Sequence, residues 1–73
     1  MNFSERLKEL RKTYAIPQKV IAEKLGISVT AYQYYEAGKN QPNIEKLVLL
    51  ADLFHVSLDT LVGRDFQEDD SRK

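Results

Sequence analysis

Apolar residues recur at three- and four-residue intervals from the start of the chain, at Phe3, Leu7, Leu10 and Tyr14. Glu5, Arg6, Lys8, Glu9, Arg11 and Lys12 fall mostly on the other face, so the spacing predicts an amphipathic first helix capped by Asn2 or Ser4. Ile16-Pro17 interrupts the pattern. Proline is tolerated in the first turn of a helix, where its missing N–H has no partner to lose, so Pro17 opens a second helix. That helix runs to Leu25, buries Ile21, Ala22 and Leu25, and stops at Gly26, which can take the left-handed conformation that ends a helix.

Ser28 is a good N-cap for a third helix. On a helical wheel Tyr32 and Tyr35 share its inner face, while Thr30, Gln33, Tyr34 and Ala37 point away. Gly38 ends it, and Lys39-Asn40-Gln41-Pro42 forms a polar loop. Asn43 caps a fourth helix with Ile44, Leu47, Leu50, Ala51 and Phe54 inward. His55-Val56 turns the chain, and Ser57 caps a short fifth helix that packs Leu58 and Leu61 before Gly63. No strand pattern, repeat or low-complexity tract is present. The fold class expected is all-α: a compact five-helix domain over residues 1–63, with residues 64–73 a charged, disordered tail.

Length and composition narrow the function. Seventy-three residues fit one domain of modest stability and leave little room for a deep substrate cleft. The chain has no cysteine and one histidine, His55, so neither a disulfide framework nor a metal site is expected, and no cofactor is implied. No apolar run approaches a membrane span and no signal peptide opens the chain, which reads as a cytoplasmic protein without a membrane partner. No nucleophile–base set or phosphate loop supports an enzyme. Charge alone does not suggest nucleic acid, since eleven basic residues balance eleven acidic ones. The arrangement must carry the case.

That arrangement is a helix-turn-helix: Gln18–Leu25 and Val29–Ala37 joined by Gly26-Ile27-Ser28. Small Ala22 lets the helices cross closely, Gly26 makes the turn, Ile27 fills the gap between the helices, and Ser28 ties down free N–H groups of the second.

Residues 7–62 resemble the phage repressor/Cro-like helix-turn-helix family. The matching stretches are Leu7-Lys8-Glu9-Leu10-Arg11, Gln18 with Ile21-Ala22-Glu23-Lys24-Leu25-Gly26-Ile27-Ser28, and Tyr35-Glu36 with Gly38-Lys39 and Pro42. Leu50-Ala51 and Val56-Ser57-Leu58-Asp59-Thr60-Leu61 complete them. The resemblance implies a five-helix domain that binds a double-stranded DNA operator, usually as a homodimer, with Arg11 and Glu36 paired between the first and third helices. It also implies a phosphate contact for Gln18, base-edge contacts for Val29, Thr30, Gln33 and Tyr34, and a backbone-facing loop at Lys39 and Asn40. Ser28, at the entrance to the recognition helix, belongs to the same DNA-facing set. Pro17 stands where the family usually has a serine or threonine cap, Ala15 replaces a common glycine, and Leu49 and Leu53 replace lysine or alanine.

By its chemistry, Gln33 can make two hydrogen bonds to adenine, and Thr30 and Val29 can touch a thymine methyl. The plainer reading makes all three solvent-facing helix residues; the intact motif favours base contact. Lys19, Lys39 and Arg11 are candidates for the phosphate footprint, with ordinary solvated cations as the alternative. Leu49, Leu53, Val62 and Phe66 suit either a dimer surface or a thickened core. The function expected is a transcriptional regulator, a repressor in first reading. The alternative is an antitoxin-like or other protein-interaction partner that also binds its own operator, kept open by Asp65, Glu68, Asp69 and Asp70 and the zero net charge.

Overall fold

The computed structural model describes residues 2–62, which form α1 (Phe3–Thr13), α2 (Gln18–Leu25), α3 (Val29–Ala37), α4 (Ile44–Phe54) and α5 (Leu58–Val62). No strand occurs among the described residues. The tail expected over 64–73, Phe66 within it, lies outside them. Each helix places at least one side chain in a single shared core: Leu7, Ile21, Tyr32, Leu50, Phe54 and Leu61 are fully buried. A domain this small cannot divide its apolar surface between two cores, so all five helices pack around one.

The helix starts follow local chemistry. Asn2, rather than Ser4, caps α1: its side chain accepts from the Glu5 N–H while the Asn2 N–H donates back to the Glu5 carboxylate, a reciprocal capping box. Ser28, Asn43 and Ser57 accept from Ala31, Lys46 and Thr60 at the starts of α3, α4 and α5.

The stops share one geometry. After α1, α2, α3 and α4, the residues Ala15, Gly26, Gly38 and His55 take positive φ of 56–78°. In each case the next N–H reaches back to the carbonyl five residues earlier, as from Ile27 to Ala22 and from Val56 to Ala51 at 3.0 Å. The residue following the turn is apolar in three cases, and Ile16, Ile27 and Val56 pack on the core. Lys39 is the fourth, and its ammonium lies 5.7 Å from the centre of the Tyr34 ring. At Gly38 a side chain would also approach Ser4 Oγ at 3.4 Å. Ala15 and His55 fill the same backbone conformation with a Cβ, at a steric cost.

Three expected core positions differ. Ile44, placed inward by periodicity, is 66% exposed, and Leu58 is 40% exposed. Both are the first residues of their helices, lying ahead of the turns that meet the core, where Leu50 and Leu61 take the buried places. Tyr14 is half-exposed and stacks on Phe54 with ring centres 5.8 Å apart, covering the core edge without entering it. The open question at Leu49, Leu53 and Val62 divides by residue. Leu53 packs against the core, Val62 lines a small cleft with Phe3 and Pro42, and Leu49 stays exposed.

Between α1 and α3 lies a partly buried ion pair. Arg11 Nε and Nη2 donate to the two carboxylate oxygens of Glu36 at 2.5 and 3.2 Å, a two-pronged geometry that fixes orientation as well as distance. The Tyr32 hydroxyl adds a third donor at 2.6 Å, one helical turn before Glu36 on α3. Glu36 is 7% exposed and is the one buried charged residue among those described. Burial by itself would raise its pKa; hydrogen bonds from Arg11, Tyr32 and Gln18 outweigh that and hold it below the ordinary carboxylate range. The Tyr32 hydroxyl is pushed up, by burial first and by its bond to Glu36 second, so it remains a protonated donor.

Ala15→Gly relieves the left-handed strain and should raise stability by about 1 kcal/mol, read as a higher Tm. Glu36→Ala strands the Arg11 charge, so stability should fall by about 3 kcal/mol and Tm by more than about 10 °C for a domain of this size. Because the folded pKa of Glu36 is depressed, its contribution is complete above the unfolded value of about 4.3 and is lost as pH falls through the folded one. Acid titration of the melting curve should therefore show a steeper decline in wild type than in Glu36→Gln; parallel curves would remove the carboxylate from this role.

Candidate nucleic-acid interface

The helix-turn-helix forms as expected, with Gly26 closing α2 and Ser28 opening α3. Ala22 is buried where the two helices meet, and Ile27 packs against the core from the turn between them. The inner side of α3 is held by Tyr32, Tyr35 and Glu36, all buried, with the two tyrosine rings edge to face at 6.2 Å. What remains outward is one stripe: Thr30, Gln33, Tyr34 and Ala37 are exposed. None of the four carries a charge, so no acidic side chain of this stripe would repel a phosphate or a base edge.

Val29 differs from the other base-contact candidates. It is partly buried and packs against the core, so its methyl groups serve α3's seating as much as any outward contact. Ser28 is exposed but its hydroxyl accepts from Ala31, leaving its own hydrogen and one lone pair for a further partner. Lys39 and Asn40 are exposed in the loop after α3, and the lysine ammonium over Tyr34 places a cation beside the stripe. Lys19 is exposed in the first turn of α2. Arg11 leaves the phosphate footprint, because its guanidinium is committed to Glu36 and that bond raises its pKa further.

Gln18 joins the buried and exposed parts. Its Nε2 donates to Glu36 at 3.1 Å, and its Oε1 accepts from Gln33 Nε2 at 3.1 Å. A continuous chain of hydrogen bonds thus runs from Arg11 through Glu36 and Gln18 to the exposed amide of Gln33. Sequence reasoning placed Gln18 and Gln33 at separate contacts and did not join them; they are fifteen residues apart and lie on different helices. It also assigned Tyr32 to packing alone, although the four-residue spacing to Glu36 carried the signal. The helix N-terminus at Gln18 and Lys19 adds backbone N–H groups that no intrahelical carbonyl can reach, a favourable place for a phosphate oxygen.

Comparison with known proteins agrees with this geometry. The sequence model of the helix-turn-helix family matches residues 7–61. The chain is 42% identical over 64 residues to the cryptic phage CTXphi transcriptional repressor RstR of Vibrio cholerae, covering 88% of this chain and 57% of that protein. It is 41% identical over 61 residues to the HTH-type transcriptional regulator YobD of Bacillus subtilis, covering 84% and 54%. It therefore spans a little over half the length of these curated relatives. Among solved structures, a transcriptional regulator from Listeria innocua superposes with a TM-score of 0.83 at 41% identity, covering 86% of this chain and 59% of that one. The P22 c2 repressor, solved with a synthetic operator, gives 0.80 at 29% identity, covering 89% of this chain and 98% of the other. With the family match spanning most of its length, and its two helices, tight turn and outward stripe in place, the chain belongs to the helix-turn-helix family.

Proposed function

We propose that residues 1–63 form a sequence-specific double-stranded DNA-binding unit of a transcriptional regulator, a repressor acting by occupancy, with α3 set into the major groove. The observation that carries this reading is the uncharged stripe of Thr30, Gln33 and Tyr34 on a helix whose other side is fixed by a partly buried ion pair. A rigid helix with exposed polar side chains can discriminate base edges, because a misplaced bond costs as much as it gains. The likeness to a repressor solved with its operator supports the same use of the fold. Gln18, Ser28, Lys39 and Asn40 flank the stripe and suit phosphate contacts; Thr30, Gln33 and Tyr34 suit bases, with Val29 at their edge. The work needs no catalysis and no cofactor, and a cytoplasmic location suits it. No helix among the described residues is long and apolar enough to cross a membrane.

With few basic groups near α3, one copy would bind weakly, and a homodimer supplies the missing contacts. Ile44, Val48, Leu49 and Leu58 are exposed apolar residues of α4 and α5, outside the stripe on α3, and are candidates for the dimer surface. The reading in which this surface meets a different protein, as an antitoxin-like partner would, is separated from it by sedimentation of the wild type and of Leu49→Glu.

Selection from random duplexes should return a palindrome with A·T pairs in each half-site, the half-site centres about 34–36 Å apart. Gln33→Ala should weaken binding to that palindrome by about 1–3 kcal/mol and leave binding to unrelated DNA nearly unchanged; equal loss on both would refute base contact. Leu49→Glu should sediment as a monomer with reduced operator affinity. A mutant that remains dimeric would place the interface elsewhere, and a wild type that is monomeric alone and pairs with a second small protein would favour the interaction partner.

A further inference from the structure

We propose that Gln18, oriented by Glu36, is a positioning residue that confines Gln33 to an adenine contact and excludes guanine. The inference deepens the function proposed above and rests on Gln33 facing a base.

A carboxylate has no proton to give, so every group bonded to Glu36 must be a donor. Arg11 and Tyr32 meet this condition in one way only. Gln18 could present either end of its amide, and beside Glu36 it must present its NH2, as observed at 3.1 Å. The direction of an amide is ordinarily ambiguous, but here the charge settles it. Its carbonyl oxygen is then turned toward α3, where it can only accept. Gln33 must answer with its own NH2, again as observed at 3.1 Å. Two amide directions are thus fixed in series by one buried charge.

The consequence for Gln33 is a loss of freedom. Of its two N–H groups, one is engaged by Gln18; one N–H and the carbonyl oxygen remain. Adenine offers an acceptor at N7 beside a donor at N6, which that remaining pair matches. Guanine offers two acceptors, N7 and O6. It would need two donors from Gln33, and the locked amide would set its carbonyl oxygen against O6. An unlocked Gln33 would have both N–H groups free to aim at N7 and O6 and could tolerate guanine. The discrimination therefore originates in Glu36, which touches no base.

The test compares base preferences, selected from randomised double-stranded DNA at one salt concentration, for the wild type, Gln33→Ala and Gln18→Met. Methionine keeps the length of the side chain and leaves Arg11 and Tyr32 on Glu36, so it avoids the instability expected of changes at Glu36 itself; a melting curve verifies the fold. Gln33→Ala should flatten the preference at one position of each half-site, which identifies the base that Gln33 meets. At that position Gln18→Met should lower the preference for adenine over guanine about tenfold, with the other positions unchanged. In the free wild-type protein the Gln33 side-chain NH2 signals should be displaced from solvent-exposed values, and in Gln18→Met they should return to them. If Gln33→Ala flattens a position but Gln18→Met keeps its adenine-to-guanine ratio, even with uniformly weaker binding, the positioning role is overturned and Gln18 acts on phosphate alone. If Gln33→Ala flattens no position, base contact by Gln33 is what fails.

Discussion

The Glu36 carboxylate is the constraint around which this domain is organised. It sits inside a small protein that has little apolar surface with which to offset an error, and it is tolerable there because three side chains donate to it. Those donors come from α1, α2 and α3. Satisfying one buried charge therefore fixes the mutual placement of three helices more narrowly than apolar packing could, since packing tolerates small slides and a charged hydrogen bond does not.

From that constraint the outer surface follows. With Tyr32, Tyr35 and Glu36 committed inward, the helical repeat leaves Thr30, Gln33, Tyr34 and Ala37 outward. The same charge reaches the surface through Gln18 and sets the direction of the Gln33 amide. Stability and recognition are thus supported by the same atoms. The remaining cations are sparse and local: Lys39 lies over Tyr34 and Lys19 sits at the start of α2, while Arg11 is neutralised within the fold. A site with so little excess charge must rely on shape and hydrogen bonds more than on general attraction to phosphate.

The way the helices end shows how a short chain obtains sharp corners. Four stops use one left-handed turn, and glycine fills only Gly26 and Gly38. Ala15 and His55 carry the same turn with strain, compensated by Ile16 and Val56, which pack behind them. At α3 the residue behind the turn is Lys39, and its contact with Tyr34 replaces the usual apolar one. A structural corner and a candidate contact residue coincide there.

Periodicity, caps and turn residues along the chain were enough to define five helices, the helix-turn-helix and the outward stripe, because each depends on neighbours within a few residues. The likeness of residues 7–62 to its family also carried the Arg11–Glu36 pairing. Three-dimensional packing alone decided that Ile44 and Leu58 face solvent, since a wheel assigns a face but cannot say how far along its length a helix meets the core. It alone joined Gln18 to Glu36 and Gln33, turned Arg11 from the phosphate footprint to a partly buried pair with Glu36, and seated Val29 partly inside. Hydrogen bonds between residues fifteen to twenty-five positions apart leave no mark in local spacing; they exist only once the helices are packed.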